Sequence, residues 1–187
     1  MTRVLFLIVT CTSILAQGVD DKLTSRAHKF QKNVERIREL KYKGNVKAGV
    51  YTKEQLKEFL SREIKIELPE RKATKLTKVG IKFGIFPPGM NLLEVYTKML
   101  TENIAGLYHP RTKELKLIKG TGTRLPGEED MYLVHELVHA LQDQYFDLEQ
   151  WKDIDNLMNT DLSLALSAVT EGEATLVHWK FALGGMF

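Results

Sequence analysis

The pentapeptide His135-Glu136-Leu137-Val138-His139 places two imidazoles and a carboxylate at the spacing a metal-dependent hydrolase requires. On an α-helix, residues four apart are offset by only ~40° and stand one turn above each other. His135 and His139 can therefore grip one ion from the same face. Glu136 falls ~100° around the helix from His135, within reach of a water activated by that ion without being a ligand itself. With residues treated as independent, such a match arises by chance in about one chain of this size in a hundred, so its surroundings have to carry the reading.

Two histidines need a third protein ligand, and an open fourth position if the site is to be catalytic. Cysteine cannot supply it, since the only one, Cys11, lies in an N-terminal leader. The position six residues after His139, where a third histidine would stand in a metzincin, is Tyr145. Downstream carboxylates remain. Glu171 and Glu173 lie in Asp161 to Phe181, a proline-free segment that reads as a helix with Asp161 as its N-cap. Its apolar surface is supplied by Leu162, Ala165, Leu166, Val169, Leu176 and Val177. Acids in such a helix are costly to bury unless a cation or hydrogen bonds compensate them, which makes Glu171 the expected third ligand. Glu173, offset ~200° from it, cannot point at the same ion and is expected to support the ligands or face solvent. Gly172 is expected where the two helices approach closely.

These residues resemble the gluzincins, zinc peptidases in which HExxH is followed on a later helix by a glutamate in an E-G-x-A setting. More narrowly, Val134 to Leu148 and Glu171-Gly172-Glu173-Ala174-Thr175 are similar to a group of predicted exported prokaryotic metallopeptidases of largely unknown substrate. The resemblance covers roughly residues 45 to 180. It implies an α+β, zincin-like fold, mainly helical, with a small antiparallel sheet beside the HExxH helix and a second helix carrying the third ligand. It also implies one Zn²⁺ held by His135, His139 and Glu171, with Glu136 as the base in peptide-bond hydrolysis. Further helices beyond the glutamate are implied as well, whereas Phe187 comes only 16 residues after Glu171; the domain is thus expected to be cut short there or minimal.

The chemistry also follows from the residues. Neutral imidazoles and one carboxylate leave a bound Zn²⁺ enough charge to polarise a carbonyl and activate water, whose proton Glu136 passes to the leaving amine. A donor for the developing oxyanion is needed too. His178, nearly two turns beyond Glu171, is the candidate for a catalytic role beside Glu136; Tyr108 and Tyr145 are others, and the alternative for His178 is a histidine that bonds a carbonyl or caps the helix end. Asp143, four residues after His139, either accepts a hydrogen bond from a ligand imidazole or is a solvated carboxylate.

The elements that must position these groups are read as follows. Asn103 to Tyr108 and Glu114 to Ile118 read as two strands joined by the turn His109-Pro110-Arg111-Thr112-Lys113, and the resemblance sets Gly106 to Tyr108 along a peptide groove. Gly120 to Arg124 lacks a P-loop lysine and reads as a connector; Glu128, Glu129 and Asp130 suit the positive end of the histidine helix. Further upstream, residues 20–43 form a basic helix and Val46 to Tyr51 a strand. Thr52-Lys53-Glu54-Gln55 is a capping box opening a helix through Glu63, and further helices run from Pro69 to Phe83 and from Asn91 to Leu100.

Residues 1–18 read as a signal peptide: Arg3, the apolar run Val4 to Ala16, and small residues before a cleavage point after Gly18. The mature chain is then exported, lacks cysteine and keeps no stable membrane span; an uncleaved anchor is the alternative. Residues 19–44 form a basic helical segment and 45–187 the metallopeptidase domain. Through Gly120 there are 24 Lys and Arg against 12 Asp and Glu, and afterwards 3 against 12, so a +12 half precedes a −9 half. Basic residues interleaved with glutamate and an acidic second half argue against nucleic acid as partner; mutual attraction of the halves is the simpler inference. The partner expected is a peptide or protein substrate, with a non-catalytic zinc-stabilised interaction module or an inactive fragment of a longer peptidase as the competing function.

Overall fold

A computed structural model describes residues 20–120, 127–151 and 160–184. Among them six α-helices surround one small sheet, in the order α1 (Asp21–Arg38), β1 (Lys47–Tyr51), α2 (Lys53–Glu67), α3 (Glu70–Lys82), α4 (Leu92–Asn103), β2 (Gly106–His109), β3 (Glu114–Ile118), α5 (Glu128–Phe146), a 3₁₀ turn (Leu148–Trp151) and α6 (Thr160–Ala182). Residues 1–18, where a signal peptide is expected, and most of the glycine-rich connector lie outside the described residues.

Local chemistry accounts for most of these boundaries. The Thr52 hydroxyl accepts from the Gln55 amide at 3.2 Å and the Gln55 side chain accepts from the Thr52 amide at 2.8 Å, closing the expected capping box. Asp20 and Asn91 cap α1 and α4 with a single bond each, accepting from the Leu23 and Glu94 amides. Gly127, at φ +83°, turns the chain into α5, whose first turn carries Glu128, Glu129 and Asp130 at the positive end of the helix dipole.

Strand order is β1-β3-β2, with β2 antiparallel and β1 parallel to β3. The sheet is therefore mixed, not antiparallel as expected. The reason is the connection: α2, α3 and α4 lie between β1 and the hairpin, and a crossover of that length permits parallel pairing. Strand β2 also starts later than expected, at Gly106, because α4 continues through Asn103 and Ile104 donates back to the Leu100 carbonyl. Helix α1 stops at Arg38, where Glu39 takes a left-handed conformation, and Asp161 lies inside the first turn of α6 instead of capping it.

Helix α5 is the axis of the molecule. It buries nine residues, among them Leu133, Val134, Leu137, Val138 and Leu141, against α1, α6 and the sheet. Helix α1, basic outside, contributes Leu23, Ala27 and Val34 to this same core. Leu56, Leu60 and Ile64 of α2 form a second cluster with α4 and Ile118. The two charged halves of the sequence meet across these contacts: Arg26 pairs with Glu129 and Asp130, Arg38 with Glu173, Arg111 with Glu149, and Lys113 with Asp143. Each pair joins a base from before Gly120 to an acid from after it, as the charge asymmetry suggested. Among the described residues no helix is long and apolar enough to cross a membrane.

Candidate metal centre

His135 and His139 project from consecutive turns of α5 toward Glu171 on α6, the two helices being the most heavily packed pair in the fold. His135 Nε2 lies 3.1 Å from His139 Nε2 and 3.1 Å from Glu171 Oε2, and His139 Nε2 lies 3.5 Å from the same oxygen. Ligands ~2.05 Å from a tetrahedral ion are separated by about 3.3 Å, so these three atoms have the spacing of one face of a coordination tetrahedron. A His135, His139 and Glu171 group of this geometry could bind a metal ion. Hydrogen bonds from His135 and His139 hold the Glu171 carboxyl far below the usual carboxylate range, despite its partial burial. Burial disfavours a charged His139, but its bonds to Glu171 and the nearby Glu136 charge raise it to about 8. A proton and a cation compete here for the same lone pairs.

The tautomer of His139 is fixed by its neighbours. Gln142 Nε2 donates both hydrogens, to the Thr170 carbonyl at 3.0 Å and to Glu173 Oε2 at 2.8 Å. Its Oε1 must then face His139 Nδ1, 2.9 Å away, and can only accept. The Nδ1 therefore carries a hydrogen, and Nε2 is the nitrogen that bonds Glu171 when protonated and would offer its lone pair to a cation that displaces that proton. Glu173 is in turn paired with Arg38 at the end of α1. Glu173 accordingly supports a candidate ligand through Gln142, which sequence reasoning passed over and which takes the role considered for Asp143. The sequence offers both equally: Gln142 and Asp143 follow His139 by three and four residues and share its helix face. Asp143 is neither an imidazole partner nor solvated. Its side chain is fully buried, accepting from Tyr108 at 2.7 Å, Lys113 at 2.7 Å and the Leu148 amide at 3.0 Å.

His178 comes to the second ligand. Its Nδ1 sits 3.2 Å from His135 Nδ1, so one of the two nitrogens donates. With a cation on His135 Nε2, His135 Nδ1 would be the donor and His178 would carry its own hydrogen on Nε2. Burial and the adjacent His135 both lower the His178 pKa, which favours this neutral form. The other oxyanion candidates are committed elsewhere: Tyr108 donates to Asp143, and Tyr145 to the Lys41 carbonyl at 2.7 Å.

Glu136 turns toward β2. Only 8 % of it is exposed, and burial pushes its carboxyl above the ordinary value even though His139 and His135 act in the opposite sense. The Tyr108 amide donates to it. A Cβ on Gly106 would lie 3.0 Å from Glu136 Cγ and 3.2 Å from Leu117 Cδ2, so the absence of a side chain at Gly106 makes room for the acid. The close approach expected at Gly172 is not found. A Cβ there would meet nothing within 4 Å, because Gly172 faces outward and Ala174 and Val177 form the contact with α5.

A cleft of about 820 Å³ opens over the cluster, lined by Gly106, Leu107 and Tyr108 along one wall and Thr170, Glu171 and His178 along the other. The Ile118 amide bonds the Ala105 carbonyl at 2.9 Å, which sets the phase of β2: Ala105, Leu107 and His109 pair with β3, and Gly106 and Tyr108 turn their backbone groups to the open edge. Compared with protein-family models, curated proteins and solved structures, the chain matches none of them, and the functional reading rests on these residues alone.

Proposed function

We propose that this chain is an exported zinc peptidase in which His135, His139 and Glu171 hold the metal and Glu136 is the general base. The observation that carries the reading is the convergence of three lone-pair atoms at tetrahedral spacing beside a buried carboxylate that is not one of them. A site whose only task is structural has no use for that fourth group, and structural zinc sites are usually four-ligand and cysteine-rich. Two imidazoles and one carboxylate are the donor set that suits zinc among the common divalent ions. When bound, the cation would polarise a carbonyl and lower the pKa of water.

The chain's own residues would do the rest. Glu136, raised by burial and steadied by the Tyr108 amide, accepts a proton from water and returns it to the leaving amine. His178 has two roles: it orients His135 and, with its hydrogen on Nε2, is the remaining candidate donor to the oxyanion. The backbone groups of Gly106 and the Tyr108 carbonyl, turned to the open edge of β2, suit an extended peptide that adds there, which is why a peptide or protein is the proposed substrate. Export is proposed from the leader sequence alone.

The test is metal stoichiometry together with hydrolysis of a peptide library. One zinc per chain and cleavage by the wild type are expected, with Glu136→Gln keeping the metal and losing cleavage. Cleavage retained by Glu136→Gln would remove that residue as the base, and zinc without hydrolysis by the wild type would favour a non-catalytic zinc-stabilised module.

A further inference from the structure

Helix α6 has apolar residues on both sides, the pattern of a helix buried all round, yet one side faces water. Leu162, Ala165, Val169, Gly172, Leu176 and Trp179 follow each other at intervals of three, four, three, four and three, the spacing of a helix-packing seam. All six are exposed, with Leu162 at 40 %, Val169 at 69 %, Leu176 at 57 % and Trp179 at 51 %. Gly172, central in the seam, weakens the helix and meets nothing within 4 Å, so no neighbour in this chain requires its missing side chain. Beyond exposed Asp161 at its start, the row that borders the seam on its open side is Ala168, Thr175 and Ala182, which carry neither bulk nor charge.

We propose that this seam packs against the same seam of a second copy of the chain, as an antiparallel helix pair about a two-fold axis between Thr170 and Glu171. In that register Leu162 faces Trp179 of the second copy, Ala165 faces Leu176, and Val169 faces Gly172, so that large side chains meet small ones in the central layers. The uncharged seam has no like charges to repel its copy. The exposed side chains amount to roughly 500 Å² per copy and about 1,000 Å² for a pair, which reaches the lower bound of a specific interface and the upper end of what monomers leave in water. Glu171 lies ~140° around α6 from the centre of the seam, so pairing leaves the cleft open.

Sedimentation equilibrium of the full chain between 1 and 100 µM tests this, these limits spanning about two decades of ordinary dimer affinity. The wild type is expected to sediment at twice the chain mass within that range. Gly172→Leu is the decisive variant: its side chain enters open space in a single copy and a filled layer in the pair, so it should halve the mass while metal binding and helical content stay unchanged. Leu176→Glu should do the same. Mixed Val169→Cys and Gly172→Cys chains in a Cys11→Ser background should cross-link under mild oxidation, and Leu162→Cys alone should not. A wild type that stays monomeric at the highest concentration overturns the proposal, as does an unchanged mass in both Gly172→Leu and Leu176→Glu. A monomer that binds lipid vesicles through this face would assign the seam to a membrane surface instead, and also overturns it.

Discussion

Replacing Gln142 by leucine removes the hydrogen bonds that stand behind the candidate metal site. Leucine keeps the volume of the buried amide but cannot accept from His139 Nδ1, and it strips Glu173 Oε2 and the Thr170 carbonyl of a donor. His139 then loses what fixes its lone pair on Nε2. Loss of such a support typically weakens metal binding 10- to 100-fold, or about 1.4–2.7 kcal/mol. Glu173, still paired with Arg38, keeps part of its stabilisation, so the fold should survive. Competition for zinc against a chromophoric chelator gives the affinity, and far-ultraviolet dichroism controls for folding. The reciprocal exchange sharpens the test. Gln142→Glu alone sets two carboxylates against each other and should bind zinc poorly; with Glu173→Gln added, the new acid accepts from both His139 and the new amide, and affinity should recover. Zinc affinity within twofold of the wild type in Gln142→Leu would refute the reasoning, as would a double variant no better than Gln142→Glu.

Other expectations are simpler. Glu171→Ala removes a ligand and should weaken zinc binding by more than Glu173→Ala, which removes only a support; the opposite order, measured by the same competition, would move the ligand. Gly106→Ala should retain zinc but lower peptide hydrolysis at least tenfold, because its methyl group displaces Glu136 from beside the cluster; unchanged turnover would show that the acid has room to spare. Tyr108→Phe leaves fully buried Asp143 with two donors in place of three and should cost about 1–3 kcal/mol of stability by denaturant unfolding, while zinc affinity changes little. A loss of affinity equal to that in Gln142→Leu would place Tyr108 in the site itself.

Helical periodicity alone determined that His135 and His139 stand one turn apart on the same face of one helix, with Glu136 beside them. Capping chemistry likewise placed the start of α2, since Thr52 and Gln55 each bond the other's backbone. These are local relations, fixed by spacing along the chain. Tertiary structure decided what depends on orientation between elements. It made β1 parallel to β3, through helices whose packing could not be read from their sequences. It chose Gln142 over Asp143 behind His139: both lie within a turn of that histidine, and only the positions of α6 and the hairpin determine which one each meets. It also reversed the two glycines. Gly106 gives way to Glu136 while Gly172 faces outward, because a residue without a side chain shows in the sequence that space is needed there, but not which neighbour fills it.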